Sequence, residues 1–306
     1  MWHHASEKAI EDPRKAAYQE FVVALSYNVV KLPRLISPEQ GAALGVAFVT
    51  SALALGSCFG ISFSDIMDGP DLVEIIRGVG EDRLPQDIRY EALRSIHDDE
   101  RALAGDWVAI WGGSATSAYL SIQLARLAGL KVAVLVDQAR HGFWLSTDSH
   151  ARPDLLIDNS DPHRAVEILS ATLGNKLYFA IDTNGKDSAS FLLQALQRPS
   201  IQKQSPSPPP TPPNRTDRRA HLLGLAGLPK TEYSKDLQMH SVPLKLFHEV
   251  PEVGKALTEW MERLLHGGQL RAPRILGNHF GLGDVNNALD RMRNGEIRGG
   301  KLVVTI

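Results

Sequence analysis

A pair of glycines followed by small, hydroxyl-bearing residues forms a candidate phosphate-binding turn. Glycine lets the backbone approach a pyrophosphate closely, and hydroxyl groups and the free amides of a helix N-terminus can donate hydrogen bonds to it. The turn consists of Gly112, Gly113, Ser114, Ala115 and Thr116. Counted from Gly113, alanines occupy the second and third glycine positions of the G-x-G-x-x-G pattern, so the turn alone is a weak signature.

A carboxylate follows at the place where the ribose of a dinucleotide is recognised. Asp137 closes the apolar run Val132–Val136 and lies 19 residues after Ala118 (137 − 118), near the separation of about 20 expected for the ribose-binding acid. Such a carboxylate favours the free 2′-hydroxyl of NAD. Arg140 and His141 could instead contact the 2′-phosphate of NADP, and the sequence leaves this choice open.

Strands and helices that alternate along the chain must position these residues. Trp107–Trp111 and Val132–Val136 are short apolar runs, and the apolar residues between them recur at helical spacing, which predicts a strand, a turn, a helix and a parallel strand. Strands are also predicted at Leu155–Ile157 and Leu177–Ile181, with helices between and after them. This alternation predicts an α/β fold with a doubly wound parallel sheet.

The segments before this core give less regular signals. Aromatic and β-branched residues predict two short strands within residues 17–32. Ser37–Gln40 predicts a capped helix start, and the helix, which runs to about Leu55, is apolar all round and therefore expected in the interior. Residues 62–105 are more polar and contain the acidic cluster Asp98–Glu100, so a solvated surface excursion is expected.

The later part of the chain contains a proline-rich interruption. Gln204–Arg219 is predicted to be a solvent-exposed, polyproline-like loop, because proline removes backbone donors and fixes an extended conformation. Beyond it, we predict strands at Leu222–Leu225, Val242–Phe247 and Lys301–Ile306 and helices at Pro251–Leu265 and Val285–Arg293.

Composition restricts the classes of function. The 306 residues are 43% hydrophobic with a net charge of −2, which gives no basic field for nucleic acid or an anionic membrane. Cys58, the only cysteine, is expected to be a buried small hydrophobe. No signal peptide or apolar run of about 20 residues is apparent, so a cytoplasmic location is expected. Histidines at ligand spacing are lacking too, and no metal site is predicted.

Several separated blocks resemble the medium-chain dehydrogenase/reductase superfamily. They are Gly41–Leu55, Asp106–Gly129, Leu177–Gly185 and Gly299–Ile306. Within the superfamily they are similar to the zinc-independent enoyl reductase and quinone oxidoreductase branch, in particular to fungal trans-enoyl reductase-like proteins. The resemblance implies a Rossmann domain and hydride transfer from NADP or NAD, without zinc, to an activated C=C or C=O bond of a small molecule. It also makes a homodimer possible.

The resemblance implies a division of the chain as well. Residues 1–36 would be the remnant of a GroES-like β-domain, residues 37–250 the Rossmann domain with insertions at 62–105 and 204–219, and residues 251–306 a segment that returns to the catalytic domain. Most of the GroES-like domain is not recognised, which suggests an N-terminally truncated chain. Because that domain would contribute to protonating the substrate, no general acid is assigned.

Carried over position by position, the resemblance implies a set of cofactor-binding residues in addition to the glycine turn. They are Thr50 on the apolar helix, Asp137 and Arg140 beside the adenosine ribose, and Asp182 and Gly185 at a strand end beneath the cofactor. The alternative is a catalytically incomplete protein that binds a nucleotide or a partner without turnover.

Overall fold

A six-stranded, wholly parallel sheet with the strand order β3-β2-β1-β4-β5-β6 forms the centre of the molecule. The computed structural model describes residues 12–197, 218–230 and 233–306. The six strands are β1 Trp107–Trp111, β2 Lys131–Val136, β3 Leu155–Asp158, β4 Leu177–Asp182, β5 Ala220–Gly224 and β6 Leu237–His240. The order reverses between β1 and β4, which opens a crevice at their carboxyl ends. The predicted doubly wound α/β fold is confirmed.

Helices pack on both faces of this sheet. In the described residues they are α1 Pro38–Leu53, α2 Leu72–Val79, α3 Arg89–Arg94, α4 Thr116–Leu127, α5 Gln138–Thr147, α6 Pro162–Leu173, α7 Lys186–Leu196, α8 Lys245–Glu249, α9 Pro251–His266 and α10 Val285–Arg293. Successive side chains of β1 enter opposite cores: Val108 and Ile110 face α1 and α4, whereas Ala109 and Trp111 face α6 and α7. Strands buried on both faces explain the unbroken apolar runs in the sequence.

Helix α1 is an interior helix, as predicted. Gln40 N donates to Ser37 Oγ at 3.3 Å and Ser37 N donates to Gln40 Oε1 at 2.9 Å, so the predicted capping box is present. A π-helical turn, Ala54–Cys58, extends the helix. By length and composition Pro38–Cys58 could cross a membrane, which corrects the expectation that no run is long enough, but 72% of its apolar window is buried within the fold.

The predicted strands within residues 17–32 are wrong. Between residues 12 and 36 the structure has 3₁₀ turns and no strand. Instead of pairing with another strand, this segment is attached through side chains: Tyr27 Oη donates to the carbonyl of His248 and Asn28 Nδ2 to that of Phe247, both at 2.9 Å. A β-favouring composition forms a strand only where a partner strand is available.

Residues 62–105 are not a solvated excursion. Phe63, Leu72 and Ile76 are fully buried, and the Phe63 ring stacks on Trp260 of α9 with centroids 4.4 Å apart. The indole Nε1 of Trp260 donates to the carbonyl of Ile66 at 2.9 Å. The polar residues that suggested solvation lie on the outer side of amphipathic elements whose inner side completes the core.

Two ion pairs, in which only Arg219 is partly exposed, correct the expectation for the acidic cluster and for the end of the proline-rich stretch. Arg219 forms a bidentate salt bridge with Glu100, with N···O distances of 2.6 and 2.8 Å, and Arg218 pairs with Asp106 at 2.8 Å. Burial would raise the pKa of Glu100, but the hydrogen bonds from Arg219 and from the His97 amide outweigh it and lower this pKa to about 2. Residues 204–217 of the predicted loop lie outside the described residues.

The last part of the chain differs from its prediction in three strands, one of which is the unpredicted β6. The predicted strand Val242–Phe247 is wrong, because β6 has already ended at His240 and α8 begins at Lys245. A strand that was not predicted, β7 Ile275–Phe280, pairs in parallel with β8 Lys301–Thr305 in a separate two-stranded sheet. Strand β8 and helices α9 and α10 are where the sequence predicts them. The proposed domain boundaries stay a prediction.

Candidate nucleotide-binding site

A cleft of about 500 Å³ lies at the carboxyl ends of β1 to β4, where the strand order reverses. Ligand sites of doubly wound sheets lie at this place. Of the predicted site residues, Gly112, Ser114, Ala115, Thr116 and Asp137 line the cleft. Its other lining residues are Val136, His141, Asn159, Asn184, Ile297, Arg298, Gly299 and Gly300.

The turn after β1 needs glycine at both of its first positions. Gly112 has φ +85°, and a Cβ there would lie 2.2 Å from Thr183 Oγ1 and 2.3 Å from Asn184 Oδ1. Thr183 Oγ1 lies 3.0 Å from the carbonyl of Gly112, to which it donates. A Cβ on Gly113 would lie 2.1 Å from a methyl of Val134 in β2. Gly113 therefore packs the turn against the sheet and does not line the cleft.

Helix α4 begins at this turn with its N-terminal amides uncapped by a side chain. Its N-cap residue is Ala115, whereas α5 and α6, which follow β2 and β3, are capped by Asp137 and Asp161. The first amides of a helix have no partner within it and point at the space before the helix, which makes that space favourable for an anion. At α4 this space is the cleft.

Asp137 has two roles beside the cleft. One of its oxygens accepts from the Arg140 amide at 3.2 Å and caps α5, and the other pairs with the Arg140 guanidinium at 3.2 Å. Arg140 itself does not line the cleft, whereas Arg298, from the loop before β8, does. His141 also lines it, and burial lowers the pKa of this imidazole, so the ring is neutral at pH 7.

The structure places Asp182, Gly185 and Thr50 outside the cleft lining. Asp182 is fully buried at the end of β4, and its Oδ2 accepts from the amides of Asn184 at 3.1 Å and of Gly185 at 2.7 Å. Burial raises the pKa of this carboxyl group. Asp182 therefore shapes the turn that presents Asn184 to the cleft, and Gly185 is the N-cap of α7. Thr50 lies half-buried on α1.

Sequence reasoning missed Asn159 and Arg298, and it did not single out Asn184, which lies between the predicted residues Asp182 and Gly185. Asn159 follows β3 and Asn184 follows β4, so a polar residue directly after a predicted strand was the signal that could have revealed them. Arg298 lies more than 100 residues from the strands that form the cleft and has no such signal. These side chains add hydrogen-bonding groups and one cation to a site otherwise made of backbone, hydroxyl and carboxylate groups.

Comparisons with known proteins agree with this fold. No family model matches the chain. It is 24% identical over 296 residues to a trans-enoyl reductase of Gibberella fujikuroi, covering 95% of this chain and 72% of that protein. It is also 24% identical over 298 residues to trans-enoyl reductase eqxC of Fusarium heterosporum, covering 96% and 73%.

Solved structures resemble the chain along most of its length. A putative NADPH:quinone reductase from Bacillus thuringiensis superposes with a TM-score of 0.61 at 16% identity, covering 94% of this chain and 70% of that one. CurK enoyl reductase superposes with a TM-score of 0.58 at 14% identity, covering 92% and 67%. A mycobacterial protein complexed with NADPH gives a TM-score of 0.62 at 15% identity, covering 94% and 71%.

The sheet order defines a doubly wound α/β fold, and the solved structures share it. The curated relatives add a likeness in sequence over almost the whole chain. The predicted resemblance is thus confirmed: the chain is similar in sequence to fungal trans-enoyl reductases over about 95% of its length, and it shares its fold with quinone and enoyl reductases.

Proposed function

We propose that the protein is an NAD(P)H-dependent, zinc-independent reductase that transfers a hydride to an activated C=C or C=O bond of a small molecule. The observation that supports this most directly is the uncapped N-terminus of α4 at the glycine turn, inside the cleft at the reversal of strand order. The trans-enoyl reductases and quinone reductases among the similar proteins support the class of reaction.

The residues of the cleft fit a dinucleotide. Its volume of about 500 Å³ lies within the range of roughly 300–1,000 Å³ for small-molecule sites. Ser114, Thr116 and the first amides of α4 would hold the pyrophosphate, and Asp137 and Arg298 would contact the adenosine ribose. When bound, the nicotinamide supplies the hydride. The chain binds and orients it.

Titration with NADH and NADPH, followed by fluorescence, tests cofactor binding. We expect saturable binding, and we expect Ser114→Asp to weaken it by about tenfold or more, or about 1.4 kcal/mol, because the new carboxylate would repel the pyrophosphate. Stability should change little, since a helix N-terminus favours a negative charge. Asn286→Asp is the matched control because Asn286 is exposed in the first turn of α10, outside the cleft. No saturable binding of either cofactor to the unaltered protein would overturn the proposal.

The coenzyme preference should depend on the charge of Asp137. We expect Asp137→Asn to raise the affinity for NADPH relative to NADH by about tenfold, because the carboxylate that repels a 2′-phosphate is removed from the cleft. Asparagine still caps α5. Asp161→Asn is the control: Asp161 caps α6 by accepting from the Arg164 amide at 3.1 Å, in the same arrangement but away from the cleft lining. If the ratio of NADPH to NADH affinity changes equally in both variants, Asp137 does not determine the coenzyme preference.

The second candidate function is a catalytically incomplete protein that binds a nucleotide or a partner without turnover. The observation that favours it is apolar surface before α1, where Phe21 is 87% and Leu35 is 91% exposed. Exposed apolar patches of this kind mark contact surfaces. Oxidation of NADH and NADPH with enoyl, quinone and aldehyde acceptors separates the two functions. Binding without oxidation by any acceptor would favour the second candidate.

A further inference from the structure

A second cluster of chemically active side chains lies against the last two strands of the sheet. Cys58 and His240 are fully buried, and the Glu91 side chain is 16% exposed. The Cys58 sulfur, a Glu91 carboxylate oxygen and a His240 ring nitrogen all lie within 4.8 Å of one another. None of the three residues lines the nucleotide cleft.

Three separate elements bring these side chains together. Cys58 ends the π-helical turn after α1, Glu91 lies on α3, and His240 is the last residue of β6. The residues are 33 and 149 positions apart (91 − 58 and 240 − 91). No motif in the sequence could show such a grouping, so the sequence does not predict a metal site there.

We propose that Cys58, Glu91 and His240 form a three-ligand site for a borderline-soft divalent cation, with Zn²⁺ the best match. Sulfur, nitrogen and carboxylate oxygen are the three donor types that zinc takes in proteins, and three protein ligands leave the fourth position to water. A thiolate, a carboxylate and a neutral imidazole carry two negative charges, which the cation balances. Of the three side chains, Glu91 is the one that is partly exposed.

The spacing of the donor atoms suits this coordination after a small adjustment. Tetrahedral zinc with bonds of about 2.0–2.3 Å separates its ligand atoms by roughly 3.3–3.6 Å. Here His240 Nδ1 lies 2.7 Å from Glu91 Oε1, so a cation between them requires the two atoms to separate by less than about 1 Å. Glu91 can make this movement because its side chain is partly exposed and α3 has only six residues.

His221 supplies the outer contact that a ligating imidazole requires. His240 Nε2 lies 2.9 Å from His221 Nδ1, so its N–H can donate there and leave Nδ1 free for the cation. The His221 ring is stacked on Phe179, with centroids 5.4 Å apart and the planes at 14°. This packing fixes His221 and, through the hydrogen bond, the orientation of His240.

A cation at this site would join the segment that carries α3 to the last strand of the sheet. A ligand that binds the folded state and not the unfolded state stabilises the fold by mass action. Binding of the cation would therefore stabilise the β6 edge of the sheet, whether or not the nucleotide cleft supports turnover.

The test uses Co²⁺ as a spectroscopic probe on the full-length protein after treatment with a chelator. We expect one equivalent of Co²⁺ to give a sulfur-to-metal charge-transfer band, Zn²⁺ to abolish it, and Zn²⁺ to raise the unfolding temperature by on the order of 5 °C. Because Cys58 is the only cysteine in the chain, such a band identifies its ligand without any variant. Absence of the band in folded protein would overturn the proposal.

Variants then test the other two ligands. Glu91→Gln and His240→Gln should each weaken Co²⁺ binding by about tenfold or more. His266→Gln is the control, because His266 and Glu262 form an exposed pair on α9 with atoms 3.8 Å apart, the kind of surface pair that binds cations adventitiously. If His266→Gln reduces the band while His240→Gln does not, the assigned site is wrong.

Discussion

A Gly112→Ala variant is expected to lose about 2–5 kcal/mol of unfolding free energy and with it the binding of NADH and NADPH. The positive φ of +85° costs an alanine about 1–2 kcal/mol. The new Cβ would also meet Thr183 Oγ1 at 2.2 Å and Asn184 Oδ1 at 2.3 Å, and overpacking of this kind adds about 1–3 kcal/mol. Urea denaturation measures the first effect and fluorescence titration the second.

Gly105→Ala separates these two costs. Gly105 has nearly the same φ, +89°, but nothing lies within 4 Å of the place where a Cβ would be. The Gly105→Ala variant should therefore lose only about 1–2 kcal/mol of unfolding free energy, the conformational cost of the positive φ, and it should retain cofactor binding. If the two variants are equally destabilised, the close approach of the turn to residues 183 and 184 contributes nothing, and the stated reason for glycine at position 112 is wrong.

A Glu100→Gln variant is expected to lose about 1.5–3 kcal/mol at pH 7, because it weakens the charge-assisted hydrogen bonds between the buried Glu100 and the partly exposed Arg219 guanidinium. The pKa of Glu100, about 2 in the folded protein, lies below the usual value of about 4.3 for the unfolded chain. A lowered carboxyl pKa stabilises the fold above the unfolded value and loses this effect as the pH falls. The difference in unfolding free energy between the unaltered protein and the Glu100→Gln variant should therefore become smaller as the pH falls from about 4.5 to 2.

Asp98→Asn is the control within the same acidic cluster. Asp98 pairs with Arg77 at 2.9 Å, but the two side chains are 66% and 38% exposed. Solvent weakens such a pair, so a loss of at most about 1 kcal/mol is expected. Denaturation curves for both variants across this range of pH measure whether the loss of unfolding free energy depends on the charge of the carboxylate. A loss from Glu100→Gln that does not change with pH would show that packing, and not charge, is responsible.

The central sheet could be predicted because its signals are local. The strand Trp107–Trp111 is apolar throughout since both faces of the sheet are covered, and the cap at Ser37 is set by residues within one turn. Gly112 and Asp137 could be found for the same reason, because each follows a strand whose apolar run is visible. Which side chains close the cleft depends on the packing of the C-terminal loop, so Arg298 could not be found.

The errors arose where a segment's environment, and not its own residues, decides its structure. Tyr27 is a residue type that favours strands, yet it lies in a 3₁₀ turn. Its hydroxyl group donates a hydrogen bond to the carbonyl of His248, and this contact holds the turn in place. Glu100 belongs to a run of acids that suggests solvent, yet it is buried because Arg219 lies opposite. Intrinsic propensity and charge are weak guides wherever a distant partner changes the balance.

The ion pairs of Arg218 and Arg219 make the fold tolerant of changes in the length of the chain between α7 and β5. These pairs attach the residues immediately before β5 to Asp106 and Glu100. On the other side of the proline-rich stretch, α7 ends at Leu196. Loop closure depends only logarithmically on length, so doubling the connection costs roughly 0.6 kcal/mol. Insertions, deletions or a cut between residues 197 and 218 should therefore leave β5 in register. A cut there would leave two fragments that each contribute strands to the same six-stranded sheet.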